Sequence, residues 1–157
     1  MEAVLVLRWL HILGSTVLIG TGAGIAFFML MAHRTGDPRH IAQTASTVVT
    51  ADWLFTATAV IAQPITGVLL ALEMGWDLTE PWILLSLGLY VLIGLCWLPV
   101  VWVQYRLKQL AQNAAATGSD LTPQYSKLFR IWFCLGFPAF ASILAILWLM
   151  IARPSFN

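Results

Sequence analysis

The first apolar run of the chain constrains its fold more than any other feature. Residues 4–31 read VLVLRWLHILGSTVLIGTGAGIAFFMLM, with no acidic residue and no proline. The run is about twice the length of an average globular helix, and about 20 apolar residues suffice to cross the hydrocarbon layer of a bilayer. Its length and the preceding Glu2 are atypical of a cleaved signal peptide. The run therefore predicts a retained membrane-spanning helix whose ionisable side chains are Arg8 and His11.

Composition extends this conclusion to the whole chain. Of its 157 residues, 60% are hydrophobic and 10% are charged, whereas soluble domains carry about a quarter charged residues. The net charge of +1 provides no basic stripe that could neutralise nucleic-acid phosphates. We expect one integral membrane domain over residues 1–157, surrounded by lipid and without a nucleic-acid partner. Cys96 and Cys134 both fall in apolar runs, and we expect them to be buried small hydrophobic residues.

Three more apolar runs follow the first one, which predicts an all-α fold, a four-helix membrane bundle. The spans are expected at about 4–32, 52–74, 82–103 and 129–151. Asp37-Pro38 and Thr122-Pro123 are typical helix starts, with a capping side chain before proline. Between the first two spans, Arg39 to Thr50 is expected to form an interfacial helix that runs into the second span. Gln63-Pro64 is expected to interrupt that span, and residues 114–121 to form a loop.

The distribution of basic residues predicts the orientation. The first and third connections contain Arg34, Arg39, Arg106, Lys108, Lys127 and Arg130, whereas the second contains Glu73, Asp77 and Glu80. The positive-inside rule then places both termini outside the cytoplasm, in a multi-pass protein of the bacterial inner membrane. Most tryptophans fall near the expected interfaces, where this side chain is enriched. Trp97 is the exception and lies deeper.

His11 is the first candidate for a functional role. At about 100° per residue it shares one helix face with Ser15 and Gly22, two small residues that leave room for a flat ligand. A neutral imidazole is a common ligand of haem iron. Arg8, about one turn earlier, is a candidate partner for a haem propionate. The alternatives are a structural histidine that hydrogen-bonds a neighbour, and an arginine that extends to the headgroups.

Other polar residues are weaker candidates. Gln63-Pro64 places an amide and a freed backbone carbonyl near the middle of the membrane, which either binds a ligand or only kinks the helix. His33 is about 33 Å from His11 along the helix, so the two cannot bind one iron within a chain. We expect His33 to be solvated at the helix end and His40 to be exposed, with metal binding as the less favoured alternative for both. Gly20 and Gly24 form a GxxxG pair, which indicates close helix packing and a homodimer face.

Four elements, in order, carry a resemblance to known membrane families. These are Trp9-Leu10-His11, the proline-containing second span, the basic segment Tyr105 to Lys108, and the last span from Phe129-Arg130 through Pro138 to Pro154. The chain resembles the small membrane family named domain of unknown function 2269 and, more distantly, HemJ-type protoporphyrinogen oxidases, which bind haem b. The resemblance implies that His11 corresponds to the histidine of the first span and Arg130 to the basic residue that opens the last one.

Two functions remain open from the sequence. The first is a haem b-binding redox protein that transfers electrons or oxidises a lipophilic substrate such as a porphyrinogen or a quinol. In this hypothesis His11 is an axial ligand, and another membrane redox subunit or a second copy of the chain is the partner. The second is a cofactor-free subunit, assembly factor or transporter component, because the sequence contains no complete set of catalytic residues.

Overall fold

The computed structural model describes residues 1–154, and all regular structure in this range is helical. The elements are α1 (Glu2–Thr35), α2 (Pro38–Ala51), a π-helical segment (Asp52–Thr56), α3 (Ala57–Glu73), α4 (Pro81–Thr117) and α5 (Pro123–Ala152). The α2 helix, the π-helical segment and α3 form one continuous rod. Four rods are therefore long and apolar enough to cross a membrane, namely 2–35, 38–73, 81–117 and 123–152. The prediction of an all-α fold with four spans is confirmed.

Both helix starts predicted from proline are confirmed. The Asp37 carboxylate accepts a hydrogen bond from the backbone N–H of Arg39, at 3.0 Å. The Thr122 hydroxyl accepts one from the backbone N–H of Tyr125, at 3.3 Å. Each cap satisfies a backbone donor that the first helical turn leaves unpaired. The connection before α5 is shorter than expected, because α4 continues to Thr117 and ends at Gly118 in the left-handed conformation.

The second rod is not interrupted at Pro64, so that prediction is wrong. Proline lacks a backbone N–H, and the carbonyl of Val60 four residues earlier therefore loses its helical partner. The hydroxyl of Tyr90 on α4 donates a hydrogen bond to this carbonyl. The helix therefore continues through Pro64 to Glu73. The irregular part of the second rod is instead the π-helical segment, which begins twelve residues before Pro64.

We call the end of the bundle where α1 stops and α2 starts the basic end, because it carries Arg34, Arg39, Arg106, Lys108, Lys127 and Arg130. The opposite end is the acidic end. A 37-residue α4 is about 55 Å long, whereas the hydrocarbon core is about 30 Å thick. The largest core cluster joins all four rods toward the basic end, including Met29, Ile41, Leu107 and Tyr125, each fully buried. Residues 39–50 thus form a packed bundle helix that runs into the second span as expected.

Toward the acidic end the rods associate mainly as two antiparallel pairs, α1 with α3 and α4 with α5. A small cluster of Ala71, Trp82 and Ile83 lies there. Cys96 is buried as predicted, but Cys134 is exposed on the surface of α5, where the prediction was wrong. Gly20 has no atom within 4 Å of the position that a Cβ would occupy, and Gly24 has only Phe28 of its own helix at 4.0 Å. The GxxxG pair therefore makes no close contact with another helix among the described residues.

Candidate functional site

A cluster of polar side chains lies between α1 and α3, in the half of the bundle nearer the acidic end. We call it the His11 cluster, and it consists of His11, Ser15, Gln63 and Thr66. His11 and Gln63 are buried, with 9% and 7% of their surface exposed. The antiparallel packing of the two helices places residue 11 beside residue 66 and residue 15 beside residue 63. The structure thus brings together three of the predicted site residues, His11, Ser15 and Gln63.

The Thr66 hydroxyl is a hydrogen-bond partner of the His11 ring. Its oxygen lies 2.8 Å from the Ala62 carbonyl oxygen and 3.2 Å from that of Gln63, both in its own helix. Nδ1 of His11 lies 2.9 Å from the same hydroxyl oxygen. When Thr66 donates its proton to these carbonyls, Nδ1 is the donor to Thr66 and Nε2 keeps its lone pair; in the other tautomer Thr66 donates to Nδ1.

Gln63 connects the two helices through both ends of its amide. Its Nε2 donates to the backbone carbonyl of His11 at 2.9 Å. The Ser15 hydroxyl lies 2.9 Å from the His11 carbonyl and 3.1 Å from Gln63 Oε1, and shares its proton between these two acceptors. Because a polar group without a partner is costly in the bilayer interior, these bonds hold α1 and α3 in one register.

Two glycines allow this close approach, and the sequence analysis missed both. A Cβ on Gly14 would lie 2.2 Å from Gln63 Nε2, and a Cβ on Gly67 would lie 3.0 Å from Cε1 of His11. The residues that leave room for the cluster are thus Gly14 and Gly67. Gly22, predicted for this role, has no atom within 4 Å of a Cβ position and lies about 16 Å further along α1. Gly14 and Gly67 could be found only once the two helices were paired.

The other predicted residues lie away from His11 or at the edge of the cluster. Arg8 is exposed, with Nη2 at 3.4 Å from the sulfur of Met74. Arg130 is exposed near the start of α5, at the basic end, and His40 is exposed on α2. None of the three contacts the His11 ring.

His33 is less solvated than expected. Its ring is half-buried and stacks on Phe129 of α5, with ring centroids 3.7 Å apart and planes 13° apart. The ring of Tyr125 is also stacked with that of His33, at a centroid distance of 5.7 Å. His33 therefore packs on the aromatic side chains of α5 at the basic end while part of its surface stays exposed.

The chemistry of the His11 cluster fits a single-histidine ligand site. A metal-bound histidine usually donates its other ring N–H to a protein acceptor, which orients the ring; the Thr66 hydroxyl can supply that acceptor here. Among residues 1–154 no three His, Cys, Asp or Glu side chains converge as a metal site. A shallow surface depression of about 420 Å³ lies elsewhere, on α2 and the π-helical segment. Its lining residues are Ser46, Thr47, Thr50, Ala51, Leu54 and Phe55.

A second polar contact, between Asp52 and Trp97, also escaped the sequence analysis. Asp52 opens the π-helical segment and is 6% exposed. The indole Nε1 of Trp97 on α4 donates to its Oδ1 at 3.3 Å. The feature of the sequence that could have indicated this contact is Trp97, the tryptophan that lies outside the expected interfacial belts. π-Helical turns occur frequently at functional sites, which makes this a second place to consider.

Comparison with known proteins identifies the family. The family described as "Predicted integral membrane protein (DUF2269)" matches residues 5–154. No curated protein and no solved structure matches the chain. The predicted resemblance to this family is confirmed, whereas the more distant likeness to HemJ-type oxidases stays a prediction.

Proposed function

The chain belongs to this family of predicted integral membrane proteins, and we propose that it is a haem b-binding redox protein of the membrane. His11 would be an axial ligand of the iron. The role would be electron transfer or the oxidation of a lipophilic substrate, such as a porphyrinogen or a quinol. Haem would supply the one-electron chemistry, and the protein would supply the ligand, the burial and the orientation.

The observation that carries this proposal is the contact between Nδ1 of His11 and the Thr66 hydroxyl. A neutral imidazole with Nδ1 protonated presents the Nε2 lone pair, which is the form that binds iron. Thr66 would accept from Nδ1 in that tautomer, and the backbone of Gly67 lies close to one side of the ring. Both contacts would orient the imidazole before the cofactor binds, and hydrogen bonds to the other ring nitrogen of this kind raise ligand basicity.

Arg8 supports the proposal through its position. It lies three residues before His11, about one helical turn toward the acidic end, and its guanidinium is exposed. A guanidinium there can form a bidentate pair with a carboxylate such as a haem propionate. His33, His40 and Arg130 lie at the basic end and would not take part in the same site.

The orientation and the partners are part of the proposal. By the positive-inside rule the basic end would face the cytoplasm of a bacterial inner membrane, and the His11 cluster would lie in the opposite leaflet. The open face at Gly20 and Gly24 would receive a second copy of the chain or another membrane redox subunit.

The test is the reduced-minus-oxidised absorption spectrum of the purified protein, expressed in cells supplied with a haem precursor. We expect Soret and α bands of haem b. His11→Ala should remove them, and Thr66→Val, which keeps the size of the side chain and removes its acceptor oxygen, should weaken haem retention by about 10-fold or more. His40→Ala is the matched control, because its ring is exposed, and should leave the spectrum unchanged. A colourless wild-type protein would refute the proposal.

A specific observation favours a second candidate, a cofactor-free membrane subunit. Both ends of the Gln63 amide are paired with α1, so the His11 cluster also suffices as a clamp between two helices. In that case His11→Ala would lower stability while the wild-type protein carried no chromophore, and the protein would copurify stoichiometrically with another subunit. The same spectrum separates the two candidates.

A further inference from the structure

Asp52 is a buried carboxylate in the rod 38–73, one of the four rods that could cross a membrane, and among residues 1–154 it forms no ion pair. It lies eleven residues before Gln63 in the second rod, about 16 Å closer to the basic end. Its side chain is 6% exposed. It accepts a hydrogen bond from the neutral indole of Trp97, and the buried hydroxyl of Thr56 at the other end of the π-helical segment is a second neutral donor close to it. An ionisable side chain retained in a span indicates a functional site by default.

The sequences of the surrounding elements supply no counter-charge. In α1 no residue between His11 and His33 is charged or titratable. In the second rod, residues 41–51 and 53–72 on either side of Asp52 are also without charged or titratable side chains. In α4, Cys96 is the titratable residue between Tyr90 and Tyr105. In α5, which packs on α4, Cys134 is the corresponding residue between Arg130 and Arg153, and it is exposed.

A carboxylate cannot stay ionised cheaply in such surroundings. Removing a charge from water without a partner costs several kcal/mol or more, so a buried charge is normally paired or neutralised. The indole of Trp97 donates one neutral hydrogen bond, which compensates only part of this cost. A proton from water at the basic end is the smallest partner that can neutralise the carboxylate.

We propose that Asp52 is a proton-binding site of the bundle, loaded and unloaded from the basic end, and that Trp97 is its positioning residue. In the loading step a proton passes from water to a carboxylate oxygen, and in the unloading step it returns to water, so no other reactant is needed. The proposal does not rest on haem binding. It gives the π-helical segment a role, since Asp52, the first residue of that segment, accepts from Trp97 of α4.

The test is infrared difference spectroscopy of the full chain in lipid vesicles, recorded while the pH is cycled over the range in which circular dichroism shows the protein to be folded. We expect a carboxylic-acid carbonyl band that appears and disappears reversibly and shifts in heavy water. Asp52→Asn should remove this band. Trp97→Phe should move its frequency, because Oδ1 loses its donor. Asp77→Asn, which changes an exposed loop carboxylate, should leave the band in place.

Each outcome decides the proposal. If Asp52→Asn does not fold, the response of Trp97→Phe decides alone: a moved band supports the proposal and an unmoved band overturns it. A pH cycle in which neither variant alters any carboxylic-acid band also overturns it. A spectrum that responds to sodium concentration at constant pH, and not to pH, would assign the carboxylate to a metal cation and overturn it as well. All these readouts are independent of whether the protein carries haem.

Discussion

Gly14→Ala tests whether the His11 cluster holds α1 and α3 together. The added methyl group would lie 2.2 Å from Nε2 of Gln63, whereas non-bonded atoms normally stay about 3.5 Å apart. The amide must therefore move by about 1 Å, and it then loses its bonds to the His11 carbonyl and to Ser15. Hydrogen bonds between membrane helices contribute about 0.6 kcal/mol on average and about 1.7 at most. Two of them amount to about 1–3 kcal/mol.

Gly22→Ala is the matched control, because the same helix offers open space at that position and Gly22 is outside the GxxxG pair. Both substitutions gain about 1 kcal/mol from the higher helix propensity of alanine, so this gain cancels in the comparison. We expect the free energy of unfolding, measured in bilayers or mixed micelles, to be about 1–3 kcal/mol lower for Gly14→Ala than for Gly22→Ala.

A double-mutant cycle with Gln63→Ala identifies the contact. When the amide is absent, the new methyl group meets no side chain, and Gly14→Ala should cost nothing further. The reasoning is refuted if Gly14→Ala is as stable as Gly22→Ala, or if its cost persists unchanged in the Gln63→Ala background.

Two further predictions concern other contacts. Tyr90→Phe should lower the free energy of unfolding by about 0.6–1.7 kcal/mol, since the Val60 carbonyl loses its donor. In a Pro64→Ala chain, a restored backbone N–H should remove most of this effect. An equal cost of Tyr90→Phe in the wild-type and Pro64→Ala chains would contradict the assignment. The backbone N–H of Thr79, and then its hydroxyl, lower the pKa of the Asp77 carboxyl below its ordinary value of 3.8. Because the folded pKa is below the unfolded one, the stabilisation of this loop is complete above the unfolded value and is lost as the pH falls through the folded value. An NMR titration that gives Asp77 an ordinary pKa, or one unaltered by Thr79→Val, would contradict this.

The sequence predicts the spans and helix starts well because both depend on local signals. A long apolar run has few alternatives to a membrane helix, and a capping side chain before proline satisfies a backbone donor of the same turn. The histidine of the site was also visible, since His11 is the only imidazole in its span and lies in an apolar run.

The partners of His11 were less predictable because they depend on which helix packs beside α1. Ser15 follows from helical periodicity alone, whereas Gly14 and Gly67 matter only through the side chain that each meets across the interface. Pro64 illustrates the same limit. Its effect on the helix is decided by a hydroxyl from Tyr90, 26 positions later in the chain, and no local pattern reports that donor.

The π-helical segment sets the rotational phase between the two halves of the second rod. Removing one residue from this wide turn would rotate everything after it by about 100° relative to α2. Gln63 and Thr66 would then face away from α1, although neither they nor His11 had changed. A related chain with one residue fewer in this turn would therefore lack the hydrogen bonds between α1 and α3. The number of residues between Asp52 and Gln63 thus determines these contacts as much as the identity of either residue does.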